Sequence, residues 1–367
     1  MPPPLSRETS LYLDAVRFVA ALTVFLGHFA TRDLSGGLFW QVAPFRHDAV
    51  IVFFVLSGFV ISHAAAKSEP DARTYIINRA ARLYSVVVPA IALTLLCDAI
   101  GGRLAPNYFA WSYSPGPLWQ QLATSLTFTN QFWNAAFFPG SDGPYWSLGY
   151  EVPYYAIFGC ALFARGAWRF VLPALLLAVA GPTVAALFPL WLIGAAVQRF
   201  GHRVRLTERG GWMLFLGSIV LWSAIQHWAL GTNAWIFHDP IPFLTRDRIP
   251  ADYVTGLCFA VNILGFAAIA HRFVAPLGRG ARAIRWAAGS TFTLYLVHYP
   301  VMKLCVALAP AGVSAASTRV LCLSATLLAV VVAARLFERH KGAWRRLIAA
   351  LVPARGAGPL IAAPRGT

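Results

Sequence analysis

Asp14, Arg17 and His28 stand inside one twenty-residue apolar stretch, LYLDAVRFVAALTVFLGHFA at 11–30. A carboxylate, a permanently charged guanidinium and an imidazole that titrates near neutral pH are the groups of proton transfer and anion binding. From Arg17 to His28 is eleven steps, three helical turns plus about 20°, so both side chains point one way about 16 Å apart along the axis, with Asp14 one turn before Arg17. Taken singly, each has a structural explanation: Arg17 snorkels to headgroups, Asp14 caps the helix or pairs with Arg17, and His28 is a hydrogen-bonded interface residue. Three on one face are different, because a charge at the bilayer centre costs roughly 2.5–3.5 kcal/mol. Such a stripe must look into protein or a water-filled cavity, which makes function the default reading.

Other pairs share the geometry. Ser147 and Glu151 are four apart and Tyr295 and His298 three apart, so each pair occupies one helix face. Arg79 and Arg82 are one turn apart; anchoring to anionic lipid explains them as well as ligand binding does. For His298, a satisfied core histidine is the competing explanation. Ser57 and Gly58 read as small residues that let helices approach, since LSGF lacks the elbow of a serine hydrolase.

The elements that must position these residues are membrane helices. The 367-residue chain is 58% hydrophobic and 12% charged, with a mean hydropathy of +0.61, far from the balance of a soluble domain. About ten stretches are long and apolar enough to span: 11–30, 48–66, 83–100, 144–164, 170–186, 187–200, 211–230, 252–270, 288–309 and 318–337. The fifth and sixth share AGPTVAALFP, whose two prolines fit either a kinked helix or a re-entrant hairpin. The expectation is an all-α membrane protein with about ten transmembrane helices around a central polar cavity.

A net charge of +16 raises nucleic acid as a partner, but the positions of the basic residues explain it better. With both termini cytoplasmic, 22 Lys and Arg fall on inner segments and 6 on outer ones, while Arg17 and Lys303 lie inside spans. No nucleic acid is expected. The five cysteines fall within spans and form no CxxC pair, so no metal site is expected. Asp14 and Arg17 interrupt what would be the apolar region of a signal peptide, and the first helix is expected to be retained. Arg outnumbers Lys 27 to 3, and Ala is abundant, which points to a GC-rich bacterial gene.

One membrane domain is expected over 1–340, followed by a basic, disordered cytoplasmic tail at 341–367. The outer segment 101–143 is rich in Trp, Tyr, Asn and Gln. These residues stack on and hydrogen-bond sugars, and they are also ordinary interfacial anchors.

The Arg-x10-His spacing in the first span resembles the acyltransferase family 3 of multi-pass membrane proteins. DAVIVFFVLSGFVIS at 48–62 is similar to that family's FFxLSGF signature, and NRAARLY at 78–84 to its Arg-x-x-Arg element. GPYWSLGYEVPYY at 143–155 resembles its Trp-Ser-Leu-x-x-Glu segment, and STFTLYLVHYP at 290–300 its Tyr-Leu-x-His-x-Pro segment. Ser85, Ala15 and EVPYY depart from the usual pattern, the last placing Pro153 beside Glu151. The resemblance is expected to be to the stand-alone form of the family, without an esterase-like domain after the last span.

The resemblance implies transfer of an acyl group, usually acetyl, from cytoplasmic acyl-CoA to a hydroxyl of a glycan or other acceptor, in a bacterial inner membrane. His28 is then the catalytic base, or the carrier of a transient acyl-imidazole. Arg17 is a fixed cation that holds donor phosphates or orients Asp14, and Glu151 orients the acceptor hydroxyl or a histidine. Arg79 and Arg82 grip the phosphates of CoA. Asp14, Ser147, Tyr295 and His298 bind substrate. The rival reading is a transporter of glycan or acyl groups that uses the buried charges as a proton relay. No internal repeat is visible, which weighs against it. The acceptor's identity and the oligomeric state stay open.

Overall fold

The computed structural model describes residues 5–110, 113–232, 248–309, 312 and 314–352. Among these, the regular structure is entirely helical. The first half contains α1 (Arg7–Phe29), α2 (Arg32–Ser35), α3 (Arg46–Ser68), α4 (Ala72–Leu104), α5 (Pro106–Ala110), α6 (Leu118–Leu126) and α7 (Leu148–Phe163). The second contains α8 (Trp168–Ala180), α9 (Pro182–Phe200), α10 (Glu208–Thr232), α11 (Ile249–Ile269), α12 (Val274–Ala288), α13 (Thr291–Ala307), α14 (Ala316–Leu336) and α15 (Lys341–Leu351).

Six stretches contain a window long and apolar enough to cross a membrane: α1, α3, α4, α9, the stretch that begins with α11 and the stretch that begins with α14; α15 is a separate short basic helix that follows α14 after the turn at Glu338–His340. The other four expected spans correspond to α7, α8, α10 and α13. Of these, α7, α8 and α13 have only 16, 13 and 17 residues, short of the roughly 20 that a hydrocarbon core requires.

Local chemistry sets the element ends. Ser6 caps α1 by accepting from the Thr9 amide at 3.1 Å, and Asp71 caps α4 by accepting from the Thr74 amide at 2.8 Å. The ambiguous prolines resolve at Gly181, whose φ of +95° breaks the chain between α8 and α9. Glycine tolerates that backbone, and Pro182 then takes a first-turn position where its missing N–H is no loss. The sixth helix therefore begins at Pro182 rather than at 187. α7 continues through Pro153.

The bundle is organised on α3 and α13. α3 packs along α9, and α13 packs on α4, α14 and α1. The α3–α9 contact is backbone on backbone: a Cβ at Gly58 would collide with the Trp191 carbonyl, and one at Gly194 with the Val55 carbonyl. Small residues permit this approach. Because the obstructing atoms are backbone and cannot swing aside, Gly58→Ala is expected to cost about 1–3 kcal/mol, read as a lower melting temperature of the purified protein in detergent. An unchanged melting temperature would refute the close approach.

The segment 341–351, expected as part of a disordered tail, forms α15 and packs on the start of α4. Arg73 secures it by donating to the carbonyls of Ala349 and Val352 at 2.8–3.2 Å, a cation at a helix C-terminus. The tail beyond Val352 lies outside the described residues. In 113–143, buried amides stitch the loop to itself: Gln121 donates to the carbonyls of Ser114 and Gly116, and Asn130 to that of Phe137. Trp119 and Trp133 instead stand about 70% exposed, as interfacial anchors do.

Candidate active site

α1 and α13 run parallel, since Arg17 sits with Thr291, Phe292 and Tyr295 whereas His28, further along α1, meets His298. Between α1, α3, α4, α7 and α13 lies a cavity of about 80 Å³ into which Arg17, Arg82, Ser57, Ser147, Glu151, Tyr155 and Tyr295 project. Five segments that are far apart in sequence therefore converge on one chamber. His28 and His298 lie beyond its Tyr295 end.

Arg17 contacts Asp14 at 3.3 Å, and Asp14 also faces Arg285 at 3.9 Å. Arg79 and Arg82, expected to act together, are separated. Arg79 pairs with the buried Glu69, which also accepts from Asn78, while Arg82 alone of the two lines the chamber. The i, i+3 spacing that brings them near each other still leaves about 60° between them, and Glu69, just before the helix, reaches the outer one. The Glu338 carboxylate, held by the Thr293 amide at 3.2 Å and hydroxyl at 2.6 Å, adds an acidic group on the α13 side that the sequence had not marked.

Glu151 terminates a hydrogen-bond chain. Trp191 Nε1 donates to Ser57 Oγ at 3.2 Å, Ser57 donates to the Tyr155 hydroxyl at 3.2 Å, and Tyr155 donates to Glu151 Oε1. The carboxylate is thus fixed at the chamber wall by residues from α3, α7 and α9. Tyr155 was legible as the residue one turn after Glu151 on its face, but Trp191 is 134 positions from Ser57 and carries no local signal. Ser57 is a link in this chain as well as a small residue. Ser147 is buried against the chamber. Tyr295 lines it with its ring, and its hydroxyl donates to the Pro144 carbonyl at 3.0 Å.

The histidines form a directed pair. His298 is fully buried, and its Nδ1 lies 2.8 Å from the Leu294 carbonyl, which can only accept. A neutral His298 therefore carries its proton on Nδ1 and presents the Nε2 lone pair to His28 Nδ1 at 3.0 Å. His28 must donate there, so its own lone pair is on Nε2. A buried imidazole orienting the tautomer of a more open one is the arrangement of an oriented general base.

Beyond the pair the chain forms a second pocket, of about 420 Å³, with Asp33, Tyr108, Ser141, Gly143, Tyr299 and Lys303 in its wall. Tyr299 belongs to this pocket and lies 5.3 Å from the His28 ring, centroid to centroid, so His28 adjoins it. Lys303 is buried, with its ammonium 4.9 Å above the Tyr108 ring and 5.0 Å above that of Phe109. Along α13 the order is Tyr295 in the first chamber, His298 at the junction, then Tyr299 and Lys303 in the second.

The loop that closes this pocket is held by Asp98, which accepts from the Ser141 amide at 2.9 Å and its hydroxyl at 2.5 Å. Next to it, neither carboxyl oxygen of the buried Asp142 has a hydrogen-bond partner among the described residues. Burial, with the Asp98 charge adding to it, holds the Asp142 carboxyl well above the usual carboxylate range. A carboxyl whose pKa rises on folding stabilises the fold below its unfolded value of about 3.9 and loses that contribution as pH increases. The D142N protein is therefore expected to melt higher than wild type at pH 7.5 and at the same temperature near pH 4. A difference independent of pH would contradict this.

The protein-family model described as an acyltransferase domain matches residues 10–349. The acyltransferase MdmB of Streptomyces mycarofaciens is 30% identical over 165 residues, which cover 43% of this chain and 40% of that relative. The chain thus aligns with less than half the length of the curated relative. No solved structure matches. The matched region runs from α1 to α15 and encloses both chambers and the histidine pair between them, and on that extent of agreement the chain belongs to the acyltransferase family 3.

Proposed function

We propose that the protein is a membrane-bound O-acyltransferase that moves an acyl group, acetyl in the simplest case, from cytoplasmic acyl-CoA to a hydroxyl of a glycan. The observation that carries this reading is the tautomer-fixed His28–His298 pair between two chemically distinct chambers. Arg17 and Arg82 make the first suited to a phosphate-bearing donor. The second offers tyrosine rings, a hydroxyl and one charge of each sign, groups that suit a polyhydroxylated acceptor.

In this mechanism the thioester enters past Arg82 and Arg17, and the acceptor hydroxyl approaches past Tyr299. His28 Nε2 takes the hydroxyl proton as the oxygen bonds to the thioester carbonyl carbon. The C–S bond then breaks, and the departing sulfur receives the proton from the imidazolium. His298 keeps Nδ1–H of His28 directed away from the reaction and stabilises the imidazolium that forms. Glu151, locked by Tyr155, faces the two guanidiniums and orients the donor end. The separation of the chambers also favours a relay in which Nε2 itself accepts the acyl group before passing it on.

A ten-helix arrangement belongs to the same proposal: with both termini in the cytoplasm of a bacterial inner membrane, the Arg82 end would face cytoplasmic CoA and the Lys303 end would face outward. Ten spans around the paired chambers would require the short helices α7, α8 and α13 to cross with the help of their neighbours. The test uses membranes containing the protein, labelled acetyl-CoA and a polysaccharide acceptor. Label stable in the polysaccharide and released by mild base as acetate is the expected result; export of the acceptor without acylation would overturn the reading in favour of a transporter.

A further inference from the structure

A third pocket, of about 390 Å³, opens between α4 and α15, with Arg73, Arg345 and Arg346 in its wall beside Ile77 and Gly342. Among the described residues, no carboxylate lies within 4 Å of any of the three guanidiniums. Three arginines with no carboxylate in contact form a site for a phosphate-sized anion; the nearby Asp71 is occupied in capping α4 through the Thr74 amide and hydroxyl. The source of that phosphate is decided by the geometry of α4. Arg73 precedes Arg82 by nine residues, a rotation of 900°, which places the two on opposite sides of the helix. Arg82 faces the first chamber, so Arg73 and the pocket it lines face away from it.

α15 has the build of a helix that lies on a membrane surface. It carries Lys341, Arg345 and Arg346, a half-buried Trp344, and Leu347 and Leu351 at 56% and 74% exposure. It is fixed against α4 by Arg73, so the basic and apolar groups hold a set position relative to the spans. We propose that the α4–α15 pocket binds the phosphate of an anionic phospholipid, while Leu347 and Leu351, on the opposite face of α15, turn toward acyl chains. This would set the depth of the bundle through a lipid-specific contact.

The test is thermal unfolding of the full-length protein in a neutral detergent with added dioleoyl phosphatidylglycerol, dioleoyl phosphatidylcholine, CoA or dephospho-CoA. Phosphatidylglycerol is expected to raise the wild-type melting temperature by several degrees, phosphatidylcholine to leave it unchanged, and R345Q/R346Q to lose most of the shift. R345K/R346K, which keeps the charges, should retain at least half of it and guards against misfolding of the first variant. An equal shift in wild type and R345Q/R346Q would overturn the proposal. So would a shift produced by CoA but not by dephospho-CoA and lost in R345Q/R346Q, because the pocket would then hold the donor's 3′-phosphate.

Discussion

Replacing His28 by alanine is expected to lower acyl transfer by about 10²–10⁴, the usual contribution of a positioned general base. The loss should fall on kcat, because Arg17, Arg82 and the rest of the donor chamber are untouched. His298→Ala should cost less, about tenfold or more, by freeing the His28 ring to take the wrong tautomer or rotate. His298→Gln, whose amide oxygen can accept from His28 Nδ1, should recover part of that loss. Groups that act as a unit are not additive, so the double alanine variant should be no slower than His28→Ala alone. Initial rates at saturating acyl-CoA compare the four variants with wild type. Equal rates for wild type and His28→Ala would remove the imidazole from the reaction, and a multiplicative double variant would dissolve the pair.

Arg82→Gln is expected to raise the KM for acyl-CoA by roughly tenfold to a hundredfold, the loss of one charged hydrogen bond of about 1.5–3 kcal/mol. The neighbouring arginine should behave differently. Arg79 is bound to Glu69, which is only 4% exposed, and removing one member of a buried ion pair strands the other at a cost of about 3–5 kcal/mol. Arg79→Gln should therefore lower the melting temperature and the yield of folded protein while leaving the KM of the surviving molecules near the wild-type value. Donor saturation curves alongside thermal unfolding separate the two outcomes. A KM increase for Arg79→Gln equal to that for Arg82→Gln would restore the arginines as a joint phosphate clamp.

These contrasts mark where local sequence stops being informative. The apolar runs and their breaks located the long helices, because hydrocarbon length and the cost of buried charge act on contiguous residues. The same reasoning flagged Arg17 and His28 on one face of α1. It did not divide Arg79 from Arg82, since Glu69 competes for one of them from the preceding turn. Nor did it reach His298 as the partner of His28, or Trp191 as the anchor of Ser57, because those contacts join residues 270 and 134 positions apart. Of the two readings of His298, a substrate-binding residue or a satisfied core histidine, the geometry favours the second: its ring is enclosed between Leu294 and His28. Gly58 was legible as small, while its contact surface on the Trp191 carbonyl was not. Lys303 was visible only as a charge out of place in a span. Its aromatic surroundings come from α5 and from its own helix, brought together by tertiary packing.

If the imidazole pair joins two chambers that open toward opposite membrane faces, then reaction across a sealed bilayer tests the arrangement most directly. Vesicles in which the protein is inserted in a single orientation would carry a membrane-impermeant polysaccharide inside and labelled acetyl-CoA on the face where α15 lies. Acetylated polysaccharide should accumulate inside intact vesicles, and should fail to form when both reactants are confined to the α15 face. Efficient acetylation with both reactants on that one face, and none across the bilayer, would contradict the two-chamber account.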